Sequence, residues 1–155
     1  MVALRACRDL PKKGILFMKL SQPFIDTWTP RALAVLRIVT AYLFLLHGSA
    51  KLLHLPHVAM FDALPVWSFI GFAGMLELVG GLMLIVGLFT RPVAFILSGQ
   101  MAVAYFIGHA SQGNLLFPML NQGEPAVMFC FVFLFLSVAG AGAWSIDALR
   151  RAAPR

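Results

Sequence analysis

The stretch "VWSFIGFAGMLELVGGLMLIVGLF", Val66 to Phe89, decides the fold: it runs for 24 residues and Glu77 is its only charged side chain. A helix of that length, rising 1.5 Å per residue, reaches across about 30 Å of hydrocarbon. By analogy with the ~2.5–3.5 kcal/mol measured for other charged residues at a helix centre, glutamate there is expensive and normally faces a partner or a polar cavity. The thirteen Leu, Ile, Phe and Val residues of the stretch contribute roughly 0.3–0.6 kcal/mol each and offset the acid by a small margin. The segment can insert, and Glu77 needs a neighbour.

Outward from this stretch, the whole chain reads the same way. Of 155 residues, 61% are hydrophobic and 12% charged, and mean hydropathy is +0.88. That composition describes an all-α, polytopic membrane protein with no separate soluble core. Four stretches approach the thickness of a bilayer: Arg31 to Leu53, Val66 to Phe89, Pro92 to Gly108 and Pro125 to Ala143. The expectation is a four-transmembrane-helix bundle over residues 31–151, preceded by an extension, 1–30, and followed by a short tail, 152–155.

Cations set the expected orientation, because Lys and Arg beside short loops are retained in the cytoplasm. Ten of the twelve fall on one side if both termini are cytoplasmic; the others, Arg37 and Lys51, lie within or at the edge of the first span. The loop from His109 to Glu124 has no Lys or Arg, as suits an outer face. The pI near 10 then reflects topology and anionic lipid. Nucleic acid is the weaker reading, since no basic cluster is interleaved with stacking aromatics.

The extension carries Cys7, several cations and a short apolar run, Gly14 to Leu20, too brief for a signal-peptide core. It reads as cytoplasmic or interfacial, and Met18 is an alternative initiator. Pro30 suits the first turn of the first helix. Cys130, the other cysteine, lies within the fourth span and cannot readily pair with Cys7.

At 100° per residue, Arg37, Thr40, Phe44, His47, Gly48, Lys51 and His54 share one arc of the first helix. One reading has that stripe facing the bundle interior while Arg37 and Lys51 snorkel to opposite surfaces; the other has it lining a polar pocket. In the second span Gly74, Glu77, Gly80, Gly81, Leu84 and Gly87 share a face. Small residues let helices approach closely, so Glu77 is directed at protein. Counting from the cytoplasmic ends puts Arg37 at about 9 Å, Gln100 at about 12 Å, Glu77 at about 18 Å, His47 at about 24 Å and His109 at about 26 Å. Glu77 is therefore expected to meet Arg37 or His47 as a buried pair, or to be protonated and hydrogen-bonded to an acceptor. Catalytic candidates are Glu77, Arg37 and His47; Lys51, Gln100, His109 and Glu124 are candidates for a substrate or cofactor pocket.

His47 and His109 at one level could ligate haem or a metal, with His54 and His57 on the same side, but no HxxxH or CxxC spacing supports such a site. The expectation is no metal. Asn121, Gly123, Glu124 and Pro125 form a helix-start signal, with Glu124 as a substrate contact the alternative. Gly140 and Gly142 break the fourth helix, Trp144 suits an interface, and Ser145 can cap a short helix through Asp147. Gly-rich nucleotide loops, dithiols and hydrolase signatures are absent, so any redox role needs a bound cofactor or a partner's groups.

"LRIVTAYLFLLHGSAKL" (Leu36 to Leu52), "ELVGGLMLIVGLFTRP" (Glu77 to Pro92), "NQGEPA" (Asn121 to Ala126) and "GAGAWSID" (Gly140 to Asp147) in that order resemble the DoxX family of small four-helix bacterial membrane proteins. The resemblance spans roughly residues 31–151. It places the family's recurrent positions at Arg37, His47, Gly48, Lys51, Glu77, Gly80, Gly81, Gly87, Arg91, Asn121, Glu124, Gly140, Gly142, Ser145 and Asp147. It implies the inner membrane and an oxidoreductase subunit tied to quinone-linked thiol or thiosulfate handling, or to oxidative-stress defence. A quinone is then the expected cofactor, and soluble or membrane redox proteins, or further copies of the chain, the expected partners. Gly-Ala-Gly at 140–142 stands where a Gly-Pro-Gly type turn is frequent. The residues also admit a different class, a non-catalytic membrane scaffold or small-molecule carrier whose charges only fix helix packing.

Overall fold

The computed structural model describes residues 21–152, and within them every regular element is helical. The elements are α1 (Gln22–Leu53), α2 (Phe69–Val86), α3 (Thr90–Ala104), α4 (Glu124–Ala139) and α5 (Ile146–Ala152). α3 continues through a π turn, Tyr105–His109, and a 3-10 turn, Ala110–Gln112. Cys7, the Gly14 to Leu20 run and Met18 lie outside the described residues.

α1 begins nine residues before the expected Arg31. Its start is set by Pro23, within the first two positions, where a missing N–H costs nothing. Pro30, expected at the first turn, lies inside the helix instead. Its carbonyl also accepts from Ala143 N–H at 2.9 Å, so the segment after α4 is anchored where the proline interrupts the ladder.

α1 and α2 pack as one antiparallel pair and α3 and α4 as another, with α2 against α3 joining them. Glycine sets how close the first pair comes: a Cβ on Gly48 would lie 2.5 Å from Leu78 N, and one on Gly81 3.1 Å from Leu45 Cβ. Between the pairs lies a core of Ala41, Phe44, Leu84, Leu97, Met101, Phe133 and Leu136, in which the Phe44 and Phe133 rings meet edge to face at 4.8 Å. Ser98 Oγ donates to Cys130 O at 2.9 Å across α3 and α4.

Much of the outer surface is apolar, and two charged side chains are inside. Phe95, Phe106, Phe131 and Val138 stand exposed, while Arg37 and Glu77 are buried. That inversion suits lipid as solvent. Three helical stretches, Gln22–Leu53, Phe69–Val86 and Thr90–Gln112, are long and apolar enough to cross a membrane. α4, at 16 residues, is shorter because Gly140, at φ 90°, ends it early. The last element starts as its sequence suggests: Ser145 Oγ accepts from Ala148 N–H at 3.1 Å.

Candidate functional site

Glu77 occupies the glycine face of α2, with Gly74 one turn before it and Gly80 and Gly81 one turn after, all buried. Because Gly74 has no side chain, the stem of Lys51 lies directly across it; a Cβ there would be 3.1 Å from Lys51 Cβ. The ammonium reaches both carboxylate oxygens of Glu77, at 2.6 and 2.7 Å. Gln100 of α3 donates to Glu77 Oε1 at 3.2 Å and to Ala73 O at 3.1 Å. Three donor contacts thus converge on the two carboxylate oxygens.

This corrects the expected pairing. Arg37 does not meet Glu77: it lies at the other end of the bundle, fully buried, with all five of its N–H donors on main-chain carbonyls. Nε donates to Ala141 O at 2.8 Å, Nη1 to Leu84 O and to Ile85 O at 2.6 Å, and Nη2 to Trp144 O at 2.8 Å and Ala143 O at 3.3 Å. Arg37 and Lys51 therefore do not snorkel to opposite surfaces. Each turns inward, and Arg37 holds α1 against the end of α2 and the bend after α4. Gly87, at φ 68°, leaves room for it: a Cβ there would be 3.0 Å from Nη1.

Beside the ion pair a cavity of about 270 Å³ is lined by Phe44, His47, Lys51, Glu77, Met101, Ala104, His109, Gln122, Pro125, Ala126 and Phe129. Its aromatic wall is continuous, since Phe44 lies 5.3 Å from Phe129 and His47 stands edge-on to Phe129 at 5.8 Å. The polar groups in the lining are the Lys51–Glu77 pair, the two histidines and Gln122. His109 is carried by the π turn, and its Nδ1 lies 3.0 Å from Asn121 O, which orients the ring. A π turn shifts the side-chain phase of the last helical residues, a device frequent at functional sites.

The candidates thus separate. Glu77, Lys51, His47 and His109 line one cavity, and Gln100 supports it from behind through Glu77. Glu124, the first residue of α4, is exposed on another groove with Leu116, Phe117, Met119 and Met128. Phe44 lies on the α1 stripe that one reading has lining a pocket, and Gln122 lies within the NQGEPA motif, though not among the candidates; Phe129, which looks like ordinary packing, is the wall residue that no pattern marks.

At the Arg37 end, Asp147 closes the start of α3. Its carboxylate accepts from Phe89 N–H at 2.9 Å and Thr90 N–H at 2.8 Å, serving the orphan donors of that helix end. Among the described residues, the buried charges Arg37 and Glu77 belong to two unlike structures, a carbonyl clamp at one end and an ion pair beside a cavity at the other.

Comparison with known proteins gives the family. The DoxX family model matches residues 32–110, which contain Arg37, His47, Lys51, Glu77, Gln100 and His109. An uncharacterized protein of Haemophilus influenzae is 45% identical over 130 residues, covering 79% of this chain and 93% of that protein. No solved structure matches. The chain is a membrane protein of the DoxX family.

Proposed function

We propose that the protein is the membrane subunit of a quinone-linked redox system, and that the cavity beside Lys51 and Glu77 receives the quinone head group. The observation that carries this reading is a buried ion pair in the wall of a cavity whose lining is largely aromatic and apolar. A flat, carbonyl-bearing ring suits such a lining: Phe44 and Phe129 offer faces, Met101 and Ala126 exclude water, and Lys51, His47 and His109 offer N–H donors. A quinone, when bound, supplies a two-electron, two-proton acceptor.

The chain's own residues then have defined tasks. Lys51 polarises a carbonyl oxygen by donating to it, and Glu77 holds the ammonium in place and can carry a proton. His47, exposed at the rim, and His109, oriented by Asn121, connect that proton to the surface. Gln100 positions Glu77. Arg37 takes no part in the chemistry, because its donors are consumed by the clamp.

In the membrane we place four crossings, with α4 antiparallel to α3 as the shortest, and both termini in the cytoplasm of a bacterial inner membrane. The cation-free loop at 110–123 and the Lys51–Glu77 cavity then face the periplasmic side. The resemblance-based expectation of thiol or thiosulfate oxidation fits this placement, with the electron donor or its partner protein approaching the outer mouth.

The test uses purified full-length protein in mild detergent with a short-chain ubiquinone analogue and a thiol or thiosulfate. Quinone-dependent oxidation that disappears in Glu77→Gln and Lys51→Met, with helicity retained, is expected. Equal oxidation by membranes lacking the protein, or no bound quinone after mild extraction, overturns the redox reading in favour of a scaffold or carrier.

A further inference from the structure

A second cavity, of about 390 Å³, lies at the opposite end of the bundle from the ion pair, between the start of α3, the bend after α4 and α5. Its lining includes Phe89, Arg91, Gly140, Asp147, Arg150 and Arg151. The proposed redox function makes no use of it. Three arginines converge here, Arg91 from α3 and Arg150 and Arg151 from α5, and none forms an ion pair with a carboxylate among the described residues. Asp147, the one acid in the lining, has both oxygens engaged by the Phe89 and Thr90 N–H groups. The cavity therefore keeps a net positive charge, with guanidinium donors to spare.

Its walls are held by backbone constraints. Gly140, at φ 90°, lets Arg91 lie along the bend, where a Cβ would come 3.3 Å from Arg91 Nε. Arg150 is held over the Phe89 ring at 5.1 Å, and Arg151 Nε donates to Asp147 O at 3.1 Å. A planar guanidinium matches phosphate oxygens in paired geometry.

What lies beside the cavity separates a lipid from a free ion. Arg91 and Pro92 begin a stripe on α3 that continues through Phe95 and Ile96, 66% and 55% exposed. We infer that Arg91, Arg150 and Arg151 hold the phosphate of an anionic phospholipid, whose acyl chains lie along the exposed α3 stripe. Basic pockets between membrane helices are the known form of such recognition. The bound lipid tethers α5 to the start of α3, next to the Arg37 clamp.

The test is native mass spectrometry of the full-length protein in mild detergent, titrated with phosphatidylglycerol, phosphatidylcholine, glycerol phosphate or inorganic phosphate. Phosphatidylglycerol is expected to be retained over phosphatidylcholine, and to weaken about fivefold for each arginine replaced in Arg91→Gln, Arg150→Gln and Arg151→Gln. Arg31→Gln, which removes an exposed arginine stacked on Trp28, is expected to leave retention unchanged. Equal weakening by Arg31→Gln reduces the effect to general surface charge and overturns the site. Retention of inorganic or glycerol phosphate as strongly as the lipid overturns the lipid assignment. A photoactivatable phosphatidylglycerol on the wild-type protein gives an answer independent of variant folding: labelling at 89–96 and 147–151 supports the site, and labelling elsewhere overturns it.

Discussion

Lys51 Nζ reaches both carboxylate oxygens of Glu77, at 2.6 and 2.7 Å, across a helix contact kept close by Gly48, Gly74 and Gly81. The pair is buried on the Glu77 side, with 3% of that side chain exposed against 15% of Lys51. Removing one partner leaves the other as an uncompensated charge. Lys51→Met or Glu77→Leu alone should each cost about 3–5 kcal/mol, whereas the double variant should recover most of that loss. Unfolding in mixed detergent, run as a double-mutant cycle, measures the coupling. Additive losses would mean that the two groups act separately.

Arg37 makes a sharper prediction, because five carbonyls from two chain segments depend on one side chain. Arg37→Leu leaves those acceptors buried without donors, at about 1–3 kcal/mol for each that finds no substitute, and should prevent stable folding. Arg37→Lys should rescue poorly, since an ammonium has three donors and no planar fork. Where the lysine variant folds, quinone binding at the far cavity should be unchanged. That separates a structural arginine from a catalytic one.

The direction in which helical side chains lean explains what the sequence left illegible. Counting residues from the cytoplasmic ends brought Arg37 within reach of Glu77 and left Lys51 at the outer surface. A Cα–Cβ bond, however, tilts toward the N-terminus of its own helix. Arg37 on α1 therefore leans away from the middle of the bundle, and Lys51 leans into it. On the antiparallel α2 the same tilt aims Glu77 at Lys51. The glycine face of Glu77 was legible because three- and four-residue spacing marks one side of a helix whatever its depth. The start of α1 was not, because Pro23 and Pro30 are both compatible with a first turn, and what distinguishes them is the folded backbone, where Ser21 O accepts from Phe24 and Ile25 N–H. The Phe129 wall was hidden for another reason: α4 is apolar all round, so no residue pattern marks its inward face.

Glycine positions that look alike in sequence should differ in tolerance. Gly48→Ala would place a methyl 2.5 Å from Leu78 N and 2.8 Å from Gly74 O, both backbone atoms that cannot swing aside. It should separate α1 from α2 at a cost of at least about 1–3 kcal/mol, and weaken the Lys51–Glu77 pair with it. Gly99, inside α3, has nothing within 4 Å of a Cβ, so Gly99→Ala should stabilise by about 0.5–1 kcal/mol. Thermal unfolding of both variants in one detergent checks the contrast.

Asp147 predicts a dependence on pH. Burial alone would raise its carboxyl, but the Thr90 and Phe89 N–H donors, with Arg151 nearby, outweigh it and hold the group below the ordinary carboxylate range. With the folded value below the unfolded one, the stabilisation is complete above the unfolded value of about 3.9 and is lost as pH falls through the folded value. Asp147→Asn should therefore be less stable than wild type at pH 7, and the difference should shrink in strong acid as the wild-type carboxyl takes up its proton. The loss should be local: hydrogen exchange should quicken at Phe89 and Thr90, whose N–H groups lose their charged acceptor, while the amides around Glu77 keep their protection. Unchanged exchange at Phe89 and Thr90 in the variant would show that the α3 end is held by packing and not by this carboxylate.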